Sequence, residues 1–259
     1  MSNSTQNGVS AVFDEIYDSN SNSINTSSTP YDKFDIVYVA FAHINQDTYK
    51  LDFEDVSDGG KEGEKQRLRN IQGLTKDLRE NNQIKLCISL GYGQPFNDIP
   101  LIMENLDTFA PSVAQFLHDN HLDGFDVDYE SPVFNSNDDF KTFSEAIRNA
   151  LGTDLNFSIT PNNTTSLDGY TLSQYYNYVN VQCYYAPRDA ICPITDFINM
   201  PGMDVSKLLA GADVSRGENI QDAINKYNKY GLGGVFAWEL ATDFDDIADA
   251  MWNATHPNS

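Results

Sequence analysis

Short apolar runs alternate with amphipathic stretches along the chain. Runs at residues 9–14, 34–44, 84–90, 124–130, 155–161, 178–184, 207–213 and 234–239 read as β-strands. Several are almost continuously apolar, as strands are when helices cover one face and a closed interior the other. Between them apolar residues recur at helical spacing: Leu68, Ile71, Leu74 and Leu78 within 65–81, then Phe140, Phe143, Ile147 and Leu151 behind the acidic pair Asp138–Asp139. Acids there favour a helix N-terminus. Ile220, Ile224 and Tyr227 form a third stripe, and Phe244, Ile247, Met251 and Trp252 a last one. Residues 97–120 have a helical pattern in which Pro100 and Pro111 predict interruptions. The polar, low-complexity stretch 19–30 predicts a long loop where a first helix would stand. Residues 186–204, with their prolines, predict at most a short helix.

Strands alternating with helices point to an α/β fold with a parallel sheet. No linker or internal repeat divides the chain, so residues 1–259 are expected to form a single domain. Eight such strands in a chain of about 250 residues match a (β/α)8 TIM barrel, here with an irregular first β/α connection.

Charge narrows the partners. There are 38 Asp or Glu against 16 Lys or Arg among 259 residues, a formal net charge of −22. No basic cluster interrupts the excess, which argues against nucleic acid and against an anionic membrane surface. No apolar run approaches transmembrane length. A neutral or cationic substrate fits the charge. Cys87 and Cys183 lie in apolar strand-like runs, and the count of three, with Cys192, shows no metal-type spacing. A Cys183–Cys192 or a Cys87–Cys183 bridge stays open. Residues 1–10 carry neither a basic n-region nor an apolar h-region, so no secretory signal is visible.

The chemistry concentrates in DGFDVDYE at 123–130. In so acidic a chain the spacing alone is weak evidence. Context strengthens it. On a strand, period two places Asp126, Asp128 and Glu130 on one face and Phe125, Val127 and Tyr129 on the other. Three aligned carboxylates on a buried strand repel one another and lose hydration, so packing does not explain them. At the C-terminal end of a barrel strand, Glu130 would occupy the face where such barrels do chemistry. Neighbouring carboxylates would keep it protonated, as a general acid requires. Asp123 falls outside the alternating register and reads as structural, bonding nearby backbone amides.

DGFDVDYE resembles the D-x-x-D-x-D-x-E signature of glycoside hydrolase family 18, the chitinases and related endo-β-N-acetylglucosaminidases. Further motifs occur in order. VYVAFAHI at 37–44 is similar to the family's second strand, and ISLGYG at 88–93 to its Ser-x-Gly-Gly motif, with Tyr92 replacing the second Gly. VQCYY at 181–185 resembles the Gln-x-Tyr-Asn/Asp motif, with Tyr185 at the last position, and GGVFAWEL at 233–240 the last strand, which ends in a Trp. The resemblance implies a retaining hydrolase without metal or organic cofactor, in which the substrate's own 2-acetamido group is the nucleophile. It assigns proton transfer to Glu130, orientation of the acetamido group and stabilisation of the oxazolinium to Asp128, and tuning of Asp128 by pairing to Asp126. Tyr184 would donate to the acetamido carbonyl oxygen, and Trp238 would floor the −1 sugar. Gln182 shares the inward face of Tyr184 and would contact substrate or Asp128. Phe41 and His43 would line the −1 pocket, His43 as a hydrogen-bonded wall residue. Tyr92 and Phe96 would add a stacking surface.

The segment 214–220 is too short for the α+β insertion of larger chitinases, so a shallow groove and endo-type cleavage are expected. The implied substrate is a β-1,4-linked N-acetylglucosamine polysaccharide or oligosaccharide, and the chain is expected to act as a monomer. Two other readings stand beside this one: an endo-β-N-acetylglucosaminidase on N-glycan cores, and a non-catalytic lectin on the same barrel.

Overall fold

The computed structural model describes residues 7–16, 26–53, 60–91, 98–130, 134–184, 193–240 and 244–257. Its strands are β1 (Val9–Glu15), β2 (Ile36–Ile44), β3 (Leu51–Asp52), β4 (Lys85–Leu90), β5 (Gly124–Tyr129), β6 (Asn156–Pro161), β7 (Tyr178–Val181), β8 (Leu208–Asp213) and β9 (Gly234–Trp238). All but β3 pair in parallel in the order β1-β9-β8-β7-β6-β5-β4-β2, and β2 pairs back onto β1 to close the barrel. The eight runs read from the apolar pattern are these eight strands. β3 was not legible, because two residues carry no period; it pairs antiparallel with the end of β2, Ile44 opposite Leu51.

The helices are α1 (Gly60–Leu74), α2 (Lys76–Glu80), α3 (Asp98–Glu104), α4 (Leu106–Asp119), α5 (Asn137–Leu151), α6 (Gly169–Tyr175), α7 (Ile194–Ile198), α8 (Ile220–Tyr230) and α9 (Asp245–Thr255). Local chemistry sets their ends. Ser136 caps α5 by accepting the Asp139 amide at 3.1 Å. Gly231 ends α8 at φ 63°, the left-handed geometry that closes a helix without a Cβ clash. The interruption predicted within 97–120 is real, but it falls at Asn105 rather than at a proline. Pro100 sits in the first turn of α3, where a backbone N–H has no helical partner anyway. Pro111 lies inside α4 on its exposed side, where water can take the carbonyl bond that proline forfeits. α7 is the short helix expected in 186–204; most of the predicted loop at 19–30 lies outside the described residues.

Two hydrophobic layers hold the fold. The outer one sets Val37, Leu86, Phe125, Val127 and Phe157 of the strands against Leu68, Val113, Phe140, Phe143 and Ile147 of the helices. The inner one fills one half of the barrel with Ala11, Phe13, Ile36, Tyr38, Ala40, Leu209 and Phe236. Cys87 belongs to this inner group and is a free thiol, which excludes the Cys87–Cys183 pairing; Cys183 is disulfide-bonded. Phe13 is the hub. Its ring stacks on Tyr38 at 4.8 Å and meets Phe236 at 5.8 Å and Trp238 at 5.5 Å.

Phe13→Ala should lower stability by about 3–5 kcal/mol, since the rings around it cannot collapse into the space left. In guanidinium titrations the midpoint should fall with the slope unchanged. An unmoved midpoint would show that this ring does not hold the interior together.

Candidate active site

Period two on β5 places Phe125, Val127 and Tyr129 in the outer layer and turns Asp126 and Asp128 into the barrel. Parallel pairing then sets Ser89 of β4 and Ser158 of β6 level with Asp126, and Thr160 level with Asp128. Asp126 is fully buried. One of its oxygens accepts from Ser89 at 2.7 Å, the other from Ser158 at 2.7 Å, and the Thr160 hydroxyl reaches both at 3.0 and 3.1 Å. The Asn180 amide of β7 lies 3.4 Å away. Burial pushes the Asp126 carboxyl up to about 6, and the hydroxyl bonds oppose that rise.

One level higher, Asp128 accepts from the Gln182 amide at 2.8 Å, and the same nitrogen donates to the Thr160 carbonyl at 3.0 Å. The backbone amide of Gln182 bonds Pro161 of β6, which carries the ladder past the end of β7. Gln182 thus faces Asp128, one of the two contacts expected for it. Glu130 follows at the rim, half-buried. Burial raises its pKa, opposed by a hydrogen bond from Gln182 and by the positive charge of Arg216. Arg216 follows β8 and is held by Asp213 at 3.2 Å.

Aromatic rings wall the opposite side. Trp238 ends β9 and stacks on Phe41 at 5.8 Å with 20° between the planes. Tyr184 meets Phe236 edge-on at 6.0 Å, so Trp238, Phe13, Phe236 and Tyr184 form one continuous series. Phe41 reaches the interior through an irregularity. The lower part of β2 turns its even positions, Ile36, Tyr38 and Ala40, inward, and the register with β4 shifts between Ala40 and Ala42. Two non-proline cis peptides flank the wall, Ala40–Phe41 and Trp238–Glu239. A Cβ on Gly91 would stand 2.7 Å from the Phe41 ring and 3.0 Å from His43, so Phe41 needs glycine there. His43 is buried and its Nδ1 lies 3.2 Å from Asp98 of α3, the wall role expected of it. Tyr92 and Phe96 lie outside the described residues, as does Tyr185.

Asp123 accepts the Leu86 amide at 2.8 Å and the Arg79 guanidinium at 3.0 Å, which is the structural role read from its position. Several groups escaped the sequence reading. Ser89, Ser158, Thr160 and Asn180 were open to the same parity argument, but hydroxyl and amide residues are too common to draw notice. Arg216 and Asp213 meet locally after β8, while Glu15 and Glu239 are brought together only by barrel closure. Among the described residues no group of three His, Cys, Asp or Glu is placed to hold a metal ion, and no described helix is long and apolar enough to cross a membrane.

The profile of Glycosyl hydrolases family 18 matches residues 14–211. Among solved structures, a GH18 chitinase from Pseudoalteromonas aurantia superposes with TM-score 0.73 at 21% identity, covering 95% of this chain and 99% of that one. A chitinase-like agglutinin from Robinia pseudoacacia gives TM-score 0.72 at 16% identity, with 94% and 98% covered. A class V chitinase from Nicotiana tobaccum gives 0.73 at 14% identity, with 96% and 99% covered, and a mutant of it was solved in complex with NAG4. No curated protein matches.

Glu239 supplies a test of the rim electrostatics. Burial first, and then Glu15, Asp213 and Asp14, push its pKa from 4.5 up to about 8. Between those values the folded chain holds a proton that the unfolded chain lacks, so this group's contribution is full at the acid end and is lost as pH rises towards 8. Thermal melts from about pH 5 to about pH 9 should therefore show wild type losing stability relative to Glu239→Gln as pH rises. Parallel curves would show that no such proton is held.

Proposed function

The chain belongs to glycosyl hydrolases family 18, and we propose that it hydrolyses β-1,4-linked N-acetylglucosamine, in chitin or its oligomers, with retention and with the substrate's 2-acetamido group as nucleophile. The observation that carries this reading is the column of Asp126 and Asp128 on β5 and Glu130 just beyond it, facing an aromatic wall that contains Trp238 and Tyr184. The complex of a relative with NAG4 supports the substrate class.

Glu130 is the general acid. Burial raises its proton affinity, which suits a group that gives a proton to the glycosidic oxygen and takes one back from water. Asp128, held by Gln182, orients the acetamido group and carries the negative charge that offsets the oxazolinium. Tyr184 donates to the acetamido oxygen. Trp238, fixed between Phe41 and Phe13, receives the C–H face of the −1 sugar. The chemistry needs no metal or organic cofactor.

The agglutinin relative shows that this fold also appears in a protein named for agglutination, so turnover has to be measured. Wild type should cleave a chitin pentamer and release the β-anomer first, by early-time NMR. Glu130→Gln should lose about 10²–10⁴-fold or more in kcat while sugar binding persists. Binding without cleavage by wild type would leave the lectin reading. Cleavage of an N-glycosylated protein but not of the pentamer, by mass spectrometry, would leave the endo-β-N-acetylglucosaminidase.

A further inference from the structure

Asp126 is hydrogen-bonded from three other strands, and one of its bonds has a fixed direction. A hydroxyl offers a single proton and can usually turn either way, while an amide nitrogen only donates. The Asn180 amide nitrogen lies 3.1 Å from the Thr160 oxygen and 3.4 Å from Asp126. Turned over, the amide would set its oxygen against a carboxylate oxygen. The nitrogen therefore faces both, the Thr160 oxygen accepts from it, and the Thr160 proton points to Asp126 at 3.0 and 3.1 Å. Tyr38 also reaches Ser158, but a phenol can donate or accept, so it does not fix that hydroxyl as an amide nitrogen does.

We propose that Thr160 is a positioning residue: through the directed series Asn180 to Thr160 to Asp126 it holds Asp126 as a hydrogen-bond acceptor, keeping it a carboxylate whose charge stands behind Asp128 and Glu130 during turnover. The kinetic part rests on the hydrolase reading; the titration part does not. Both Thr160 and Asp126 are buried, at 2% and 0% exposure, so neither touches substrate, and the effect belongs in kcat rather than KM. The groups facing Asp126 agree with this. Ser89 and Cys87 come from β4, Tyr38 from β2, Ser158 and Thr160 from β6, Asn180 from β7, and Tyr176 lies behind β6. Burial pushes Tyr38, Cys87 and Tyr176 up, so all three are neutral. No cation is among them. Asp126 keeps its charge through neutral donors, and Thr160 is the donor whose direction is set.

Thr160→Val preserves the shape and removes the hydroxyl. Losing a donor to the charged form raises the proton affinity of the carboxyl. The acidic limb of the kcat profile should move to higher pH by roughly one to two units, with KM changed by less than about twofold. Thr160→Ser should restore the wild-type profile. Should the valine variant not fold, Thr160→Ala removes the same hydroxyl and reads out the same shift. Superposed profiles for wild type and the valine or alanine variant would overturn the proposal, as would a serine variant displaced as far as they are.

A second measurement needs no substrate. The Asp126 carboxyl carbon, assigned by its loss in Asp126→Asn, is titrated by NMR in wild type and Thr160→Val. A midpoint raised in the variant supports the proposal even if no glycoside is cleaved, in which case the hydrolase reading alone fails. Normal cleavage with an unmoved midpoint overturns the proposal and leaves the hydrolase reading standing.

Discussion

A carboxylate that cannot reach water sits inside the barrel, and the interior is arranged around it. Burying an ionised acid without partners costs several kcal/mol even after the surroundings relax. Asp126 avoids that through Ser89, Ser158, Thr160 and Asn180, drawn from the neighbouring strands β4 and β6 and from β7. Hydrogen bonds to a charged group contribute roughly 1.5–3 kcal/mol each, so a few together offset the lost hydration. Donors on those strands displace apolar side chains from half of the interior. The other half is therefore packed tightly with aromatic rings from β1, β2 and β9, centred on Phe13. The carboxyl column and the aromatic wall thus face each other because one buried charge divides the barrel in two.

Neutral donors matter for what the site can do. A lysine or arginine beside Asp126 would also make its burial tolerable, but it would cancel the charge. Hydroxyls and an amide leave the negative charge in place, in a medium where it is weakly screened. Arg216 is instead at the rim, held by Asp213 and acting on Glu130 from the solvent side. Positive charge enters where water moderates it, and among the described residues no cation contacts Asp126.

The same division explains what could be read from the chain alone. Strands buried on both faces are apolar along their length, so all eight barrel strands were visible as runs, and period two on 124–130 separated the carboxylates from Phe125, Val127 and Tyr129. Residues whose position follows from regular geometry were legible for that reason. Phe41 was placed inward correctly, yet uniform alternation does not explain it: Ala40 also points inward, and only the register shift against β4 reconciles the two. Prolines misled within 97–120, because a first-turn or solvent-facing proline does not end a helix. Glu15 and Glu239 lie 224 positions apart (239 − 15) and meet through closure of β1 on β9, which no local pattern records. Thr160 was within reach of parity, but its role depends on Asn180 standing beside it, a contact between two strands that neither reveals alone.

Asp126 and Glu130 differ in surroundings because they differ in depth. Burial raises the proton affinity of both. At the deep position several donors oppose that rise, which favours the ionised form. At the rim only Gln182 and a solvent-exposed arginine oppose it, and Gln182 also serves Asp128. Two carboxyls four residues apart thereby stand in different surroundings, one among several neutral donors and one at the rim, the kind of separation that acid–base sites generally require. The intermediate Asp128 shares Gln182 with Glu130, and the same Gln182 nitrogen donates to the carbonyl of Thr160, whose hydroxyl reaches Asp126. A change at one level of the column therefore reaches the others through Gln182 and Thr160. In such an arrangement, the depth of each group decides which partners it meets and how far its charge is screened.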